Sequence, residues 1–438
     1  MNPTSVWGDM NTPKKEYSLQ ALGELRVEVK ASKVVFITLR SGGAEIFGSD
    51  LTLGEKVALK SQNFAVFTWQ GCRVEMATDP ARDQTLSNVV EMAYESDETP
   101  MTEYLNIHHT LNNCRTAARN GDSSSGPRTL VVGPTDVGKS TLCRLLLNYA
   151  VRSNWTPTMI DLDIGQGGIT VPGSIGATPI EAPVDIEEGL PVEVPLVYFY
   201  GHTTPSDHPE LYKALVDRLG QLLDDRAKSS PQTGAAGMMI NTMGWVEGLG
   251  FQLLMHTILA MRANIVLVVG QDRLLKQLQA TYQGPHHVDF VKVSKSGGVV
   301  TRQPPYRKSA RISRVKEYFY GVKEDLNPIS MTMKMDNLQI YKVGGGPKAP
   351  TSALPIGASA VADPLRITKV TNCSEVLHCL LAVSHADDPE QLLSVNVAGF
   401  LYVTDVDIKQ NQITYLQPCP GPLPGKFLMM GSFQVYFE

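Results

Sequence analysis

The stretch Gly133-Pro134-Thr135-Asp136-Val137-Gly138-Lys139-Ser140 fits the spacing G-x-x-x-x-G-K-[ST], a set of residue types suited to holding a polyphosphate. Its glycines let main-chain N–H groups turn inward toward phosphate oxygens. Lys139 is expected to reach the β- and γ-phosphates, and the Ser140 hydroxyl is a ligand type for Mg²⁺. Both flanks suit that chemistry. Arg128-Thr129-Leu130-Val131-Val132 reads as a short buried strand, and Thr141 to Val151 has the apolar spacing of a helix packed on a sheet. Strand, loop and helix N-terminus together aim N–H groups at an anion, so the chain is expected to bind a nucleoside triphosphate.

Two acids follow the next strand, in Asp161-Leu162-Asp163-Ile164-Gly165-Gln166-Gly167. Ligands of open α/β sheets sit at the carboxyl ends of strands. A period of two is expected to turn Asp161 and Asp163 to the same side of an extended chain, both toward the triphosphate. There they suit organising Mg²⁺ and accepting a proton from an attacking hydroxyl. A second cluster holds Arg302, Arg307, Lys308, Arg311, Arg314 and Lys316, with Pro304-Pro305 stiffening the approach. Arg307, Arg311 and Arg314 fall at i, i+4 and i+7, one face of a helix. Such a comb suits a lid over a transferring phosphoryl group, or a track for a nucleic-acid backbone. Trp245 follows a strand and either stacks on an unpaired base or packs on a helix; periodicity favours neither. Gly201-His202-Thr203-Thr204-Pro205 offers hydroxyls and N–H groups at another strand end. Side chains of the adjacent pairs His108-His109 and His286-His287 diverge, which argues against chelation.

These residues need a scaffold of several domains. At 438 residues the chain exceeds one ordinary core. A net charge of −5 excludes a general basic coat and confines any nucleic-acid contact to a local patch. The six cysteines, with no C-x-x-C pair, are expected to be reduced and buried. No apolar run approaches a membrane span, and Met1 to Tyr17 has no signal-peptide core. Leu19 to Met76 alternates apolar and polar residues between turn signals, an all-β pattern, and Thr78 to Ser87 reads as a surface loop. Tyr104 to Arg119 has helical spacing and leads to the linker Asn120 to Pro127. From Arg128 strands alternate with helices, the signature of a parallel α/β sheet; after Tyr320 short strands return. The expected fold is α/β. A central phosphate-loop parallel sheet carries helices on both faces, between an N-terminal β-sandwich-like domain (1–113) and a small C-terminal β-rich domain (326–438), with the phosphate-loop domain at 114–325.

In this order the pieces closely resemble one family, the polynucleotide 5′-hydroxyl kinase subunit of the eukaryotic pre-mRNA cleavage complex (cleavage factor II). The resemblance rests on Gly133 to Thr141, Leu145 to Arg152, Asp161 to Gly167, Thr203-Thr204-Pro205, Asn241-Thr242, Gly244-Trp245-Val246, Lys295 to Val300 and Glu317 to Gly321. Glu24-Leu25-Arg26, Ala44 to Gly48 and Ala65 to Gly71 extend it into the β-module. It implies that the β-domain helps hold the adenine of ATP. Nucleotide contacts would fall on Glu24 and on Asp136, Val137, Gly138, Lys139, Ser140 and Thr141, and on Asn63, where many relatives carry lysine.

The implied reaction moves the γ-phosphoryl group of ATP to the 5′-hydroxyl of RNA. Asp163 is the implied base, Lys139 with Arg302, Arg307 and Arg311 the charge-neutralising set, and Ser140 with Asp161 the Mg²⁺ ligands. Gln166, Thr203 and Trp245 would hold the terminal nucleotide. Implied partners are other subunits of the mRNA cleavage and polyadenylation machinery and the tRNA-splicing endonuclease, in the nucleus, with no membrane. A rival reading from another class is an ATP-bound scaffold subunit without turnover. A third, the nucleolar relative acting on rRNA intermediates, is disfavoured by the compact chain and its N-terminal β-module.

Overall fold

In the computed structural model, which describes residues 10–79, 81–123, 125–190, 195–344 and 363–437, the alternating N-terminal segments are strands. Residues 1–9 of the polar N-terminal segment, Pro80 of the expected loop and Ser124 of the expected linker lie outside the described residues. The strands are β1 (Lys14–Leu19), β2 (Glu24–Val29), β3 (Val34–Gly42), β4 (Glu45–Ile46), β5 (Ser49–Asp50), β6 (Lys56–Lys60), β7 (Asn63–Phe67), β8 (Cys72–Ala77) and β9 (Val90–Ser96). One sheet has the order β1-β8-β3-β6 and the other β5-β4-β7-β2-β9. Leu25 and Val27 of one sheet and Val35 and Ile37 of the other are buried in a shared core, so the period-two pattern is that of a β-sandwich. Strand β9 lies outside the sequence expectation; it pairs antiparallel with β2, more than sixty residues earlier.

A one-turn helix α1 (Leu86–Val89) precedes β9, and α2 (Met101–Asn120) follows it, ending at Gly121 in the left-handed conformation. The expected boundary at 113/114 falls inside α2, which packs against the next domain's helices. That domain runs β10 (Arg128–Val132), α3 (Lys139–Arg152), β11 (Thr158–Asp161), β12 (Ser174–Pro179), β13 (Leu196–Phe199), α4 (Pro209–Ser229), α5 (Pro231–Ala236), β14 (Met238–Asn241), α6 (Leu249–Ala260), β15 (Ile265–Val269), α7 (Asp272–Thr281) and β16 (Asp289–Val293). The sheet order is β13-β12-β11-β14-β10-β15-β16. It is parallel except for β12, which lies antiparallel between β11 and β13. Alternate residues of β10 serve opposite faces. Leu130 and Val132 join the core under α4, α6 and α7, and Val131 joins the core under α2 and α3.

Helix α8 (Pro304–Tyr320) opens on the two expected prolines at its first positions, where a missing N–H costs nothing. It leads to β17 (Ile329–Lys334), β18 (Gln339–Val343), β19 (Ile367–Lys369), β20 (Cys379–Ser384), β21 (Val397–Asp407), β22 (Gln412–Gln417) and β23 (Phe427–Gln434). These form one sheet in the order β17-β22-β21-β20-β23-β18-β19. Its inner face packs on β13 and on the C-terminal half of α8 through Val315 and Phe319. Of the cysteines, Cys72, Cys143, Cys373 and Cys379 are buried and unpaired; Cys419 is exposed, against expectation, because it sits in a turn beyond β22. Among the described residues no helix is long and apolar enough to cross a membrane.

The C-terminal sheet touches the central domain at two glycines. A Cβ on Gly431 would lie 1.8 Å from the Gly201 carbonyl oxygen, and Phe433 N donates to that same oxygen at 3.2 Å. Gly431→Ala should therefore lower stability by about 1–3 kcal/mol in thermal or denaturant unfolding. Gly43→Ala, with nothing within 4 Å of the added carbon, is the control and should stay close to wild type. Equal stability of the two variants would show that the glycine contact does not constrain the interface.

Candidate active site

The phosphate loop joins β10 to α3 through backbone conformations that most side chains avoid. Gly133 has φ +154, Asp136 +56 and Gly138 +91, and Asp is among the few residues that tolerate the left-handed region. A Cβ on Gly133 would lie 2.8 Å from the Val269 carbonyl oxygen, so that position requires glycine. The loop forms one wall of a cavity of about 340 Å³. Glu24 and Asn63 of the β-sandwich line its far end, and Asp136, Val137, Gly138, Lys139, Ser140 and Thr141 its near end, with Asp163, Gln166 and Arg302 beside them. The predicted nucleotide residues thus converge.

At the far end Glu24 is buried, pairs with Arg26 and accepts from Thr99 Oγ1 at 2.9 Å. Arg26 also donates to the Glu98 carbonyl at 2.6 Å. Sequence reading passed over Arg26 and Thr99, both of which line the cavity. Arg26 stands two residues from Glu24 on one strand and was findable by period; Thr99, in a turn between β9 and α2, carried no such signal.

The two acids occupy different places. Strand β11 ends at Asp161, so the extended chain that was to align the pair stops there, and Asp163 sits in a turn. Asp161 Oδ1 accepts from Asp163 N and Asn241 Nδ2, and Oδ2 from Gly168 N at 2.6 Å. Burial, then the charge of Asp163, pushes its carboxyl up to about 6. Asp163 Oδ1 accepts from Gly165 N and Gln166 N, and Oδ2 takes no hydrogen bond among the described residues. Burial raises its pKa, against the opposing pull of Lys139 and those N–H groups. Lys139 Nζ donates to the Pro134 carbonyl at 2.8 Å; burial lowers its pKa and Asp163 offsets part of that.

The lid arginines divide as well. Arg307 Nη2 donates to Asp136 Oδ2 at 2.7 Å, and Arg302 N donates to the same oxygen at 2.9 Å. The basic end of α8 is therefore fastened to the phosphate loop. Tyr306 OH donates to the Ser61 carbonyl of the β-sandwich at 3.3 Å, and the Arg302 guanidinium lies 5.1 Å from the Tyr306 ring centre. Arg311 faces a second cavity of about 400 Å³, which shares Ser140, Gln166 and Arg302 with the first and holds Asp161. Thr203 and Trp245 line neither cavity. The Thr203 main chain packs behind Gly165, and the Trp245 indole lies on the first turn of α6, where a Cβ on Gly250 would come within 2.6 Å of Cγ. Both remain half-buried.

Ser140 and Asp161, the metal ligands expected from sequence, both offer oxygen donors. Ser140 and Asp161 line the same cavity, Asp161 Oδ2 keeps a lone pair, and the buried Asn241 Oδ1 has no partner. That set suits Mg²⁺, which takes one or two carboxylates and completes its shell with water and phosphate oxygens.

Three family models match successive parts of the chain. The N-terminal beta-sandwich domain of polyadenylation factor matches residues 18–118, the mRNA cleavage and polyadenylation factor CLP1 P-loop 133–321, and the pre-mRNA cleavage complex II protein Clp1 326–436. The Protein CLP1 homolog of Arabidopsis thaliana is 45% identical, covering 99% of this chain and 97% of its own. The Polyribonucleotide 5′-hydroxyl-kinase Clp1 of Homo sapiens is 43% identical over 96% of each. Among solved structures, the wild-type Clp1p–Pcf11p (454–563) complex superposes with TM-score 0.81 at 23% identity, covering 97% of this chain and 99% of that one.

The raised pKa of Asp161 gives a signed pH dependence. Below about 6 its carboxyl holds a proton and loses the charge that a cation needs. Lowering pH from 7.5 to 5.5 should raise the Mg²⁺ concentration for half-maximal nucleotide binding about fourfold, measured by titrating Mg²⁺ against a fluorescent ATP analogue. In Asp161→Asn the pH dependence should shrink to that of the nucleotide's own terminal phosphate, measured as Mg²⁺ binding to the free analogue over the same range. A wild-type Mg²⁺ requirement flat across this range would remove Asp161 from the metal's ligands.

Proposed function

The chain belongs to the Clp1 family of pre-mRNA cleavage complex II proteins, and from that premise we propose that it is an ATP-dependent polynucleotide 5′-hydroxyl kinase acting in mRNA 3′-end cleavage and polyadenylation. The observation that carries this reading is the convergence of Lys139, Asp163, Gln166 and Arg302 on one cavity whose other end is closed by Glu24 and Asn63. A binding clamp needs the two ends; it does not need a buried carboxylate with an open oxygen beside the phosphate lysine.

In the proposed reaction the RNA 5′-hydroxyl oxygen bonds to the γ-phosphorus as the bond from γ-phosphorus to the β–γ bridging oxygen breaks. Asp163 takes the hydroxyl proton on its unencumbered Oδ2, and burial makes this carboxylate a better base than one in water. Asp163 Oδ1, fixed by two N–H groups, orients it. Lys139, Arg302, Arg307 and Arg311 meet charge that spreads over the phosphoryl oxygens in a loose transition state. Ser140 and Asp161 would hold Mg²⁺, which neutralises phosphate charge when bound. Gln166, at the mouth shared by the two cavities, is assigned to the terminal nucleotide, and Thr203 and Trp245 to the outer edge of its path. The other cleavage-complex subunits, the tRNA-splicing endonuclease and a nuclear location belong to the same proposal.

One observation favours the scaffold as second reading. Arg307 is fastened to Asp136 of the phosphate loop, a contact that would hold the phosphate end closed over a nucleotide. Transfer of labelled γ-phosphate from ATP to a single-stranded 5′-hydroxyl RNA decides between them. Wild type should transfer, Lys139→Ala should lose transfer, and Asp163→Asn should lose kcat at least a hundredfold while still binding ATP. Tight ATP binding with no transfer by wild type would establish the scaffold instead.

A further inference from the structure

One wall of the nucleotide cavity is a single layer of chain. The segment from Ser294 to Arg302 joins β16 to α8 and lines the cavity through Ser296, Gly298, Val299, Val300 and Arg302. Its outer side is open to water, with Ser294, Lys295, Gly297 and Thr301 exposed. The remaining walls belong to packed elements, where Phe67 of the sandwich, Tyr104 of α2 and Leu145 of α3 are buried.

The segment is tied at its ends and loose between them. At one end Ser294 N donates to Glu103 Oε1 at 3.0 Å, and Tyr104 OH donates to the Ser294 carbonyl at 2.9 Å. At the other, Arg302 N donates to Asp136 of the phosphate loop. Among the described residues, the hydrogen bonds between those ends stay within the segment: Gly298 N to Ser296 Oγ, and Val299 N to the Ser296 carbonyl. What meets the middle is the Arg26 side chain. A Cβ on Gly297 would lie 2.9 Å from Arg26 Nη1, and one on Gly298 3.0 Å from its Cδ. Neither glycine is in the left-handed region, so a side chain there is opposed by Arg26 and not by backbone conformation. Arg26 is itself held on the sandwich by Glu24 and the Glu98 carbonyl. A stretch whose middle has no hydrogen bond to another element opens at low free energy, whereas the packed walls open only with their domains.

We propose that the segment from Ser294 to Arg302 is a strap that gates nucleotide entry and exit, held shut by Glu103 at its root and by Arg26 against its glycine pair. The proposal rests on the nucleotide-binding reading of the cavity. Glu103 and Gly297 do not line that cavity, so they hold the strap without being ligand contacts. Weakening the shut state through them raises the open fraction alike with and without ligand. Entry and exit then speed up together and Kd stays where it was. Loss of a ligand contact, by contrast, speeds exit alone.

The test is stopped-flow kinetics of a fluorescent ATP analogue with Mg²⁺ on the full chain, with release followed by a chase of unlabelled ATP. Glu103→Ala should raise both rate constants about tenfold, as loss of a hydrogen bond to a charged acceptor allows, with Kd within about twofold of wild type. Gly297→Ala, whose Cβ props the strap away from Arg26, should do the same. Thermal unfolding shows which variants are folded, and either one suffices. Faster release at unchanged entry overturns the gate and makes the strap a ligand contact. Unchanged rates in folded variants overturn it as well. Joint acceleration in a protein that transfers no phosphate to RNA upholds the gate and overturns the kinase reading. No analogue binding by wild type overturns the nucleotide reading and the gate with it.

Discussion

Helix α3 is buried on nearly its whole circumference, and the position of everything at the active site follows from that. Leu142, Cys143, Leu145, Leu146, Leu147 and Tyr149 are all in the core, which a helix achieves only when enclosed on every side. The sheet and α2 cover two sides, and the β-sandwich covers a third. The last contact is polar. Asn148 donates to the Phe47 carbonyl and Ser49 Oγ and accepts from Val184 N, while Tyr149 and Arg152 share the buried Glu45. Losing any one of these partners strands another in a site without water, at about 1–3 kcal/mol each. The phosphate loop runs directly into the first turn of α3. Fixing the helix therefore fixes the loop, and the same bonds set its distance from Glu24 and Asn63 on the sandwich.

The lid is held by a different logic. Its C-terminal half is part of the third domain's core, with Val315 and Phe319 buried and Tyr318 OH accepting from Phe400 N. Its arginine-bearing half projects over the loop, fastened there by Asp136. That carboxylate accepts a main-chain N–H and a guanidinium N–H, both charge-assisted and largely shielded from solvent. In the proposed reaction an incoming triphosphate would compete with Asp136 for Arg307. The chain can thus keep Arg307 near the phosphates before they arrive without leaving an uncompensated charge, and the exchange replaces one anion with another.

Much of this was legible because it is local. The phosphate loop, the strands at Thr158, Leu196 and Ile265 and the helices from Pro209 and Leu249 each declare themselves within a window of fifteen residues. Strand β12 did not: Ser174 to Pro179 is buried on both faces, so it shows no alternation, and it ends in proline. Nor did β9, whose partner β2 is remote in sequence. At the site, residue types singled out Lys139, Asp163 and Arg302, which line one cavity, but the pairing of Asp136 with Arg307 joins positions 171 residues apart and has no local trace. The separation of Asp161 from Asp163 turned on where a strand stops. Strand ends are set by tertiary hydrogen bonds, here from Asn241 and Gly168, and not by alternation.

The charges at the site form a balance that lets Asp163 tolerate burial, while main-chain and amide N–H donors hold Asp161. Lys139, Arg302, Arg307 and Arg311 face Asp136, Asp161 and Asp163, so cations slightly exceed carboxylates before any ligand enters. Burial lowers Lys139 and Arg311, and attraction to Asp163 opposes both shifts; burial raises Asp163 against the pull of Lys139 and Arg307, whereas Asp161 is raised further by Asp163 and opposed only by N–H donors from Gly168, Asp163 and Asn241. Isolated, a buried Lys139 or Asp163 would neutralise rather than stay charged. Together they stay charged, and they are fixed in place by main-chain donors and by α3 and α8. A site whose dipoles and charges are already oriented needs no rearrangement as charge moves between oxygens, which is where such a site gains over water. The cost of assembling it has been met by the folding of three domains around one helix, and this is why the proposed catalytic groups are drawn from the phosphate loop, a strand end and the α8 region rather than from any single element.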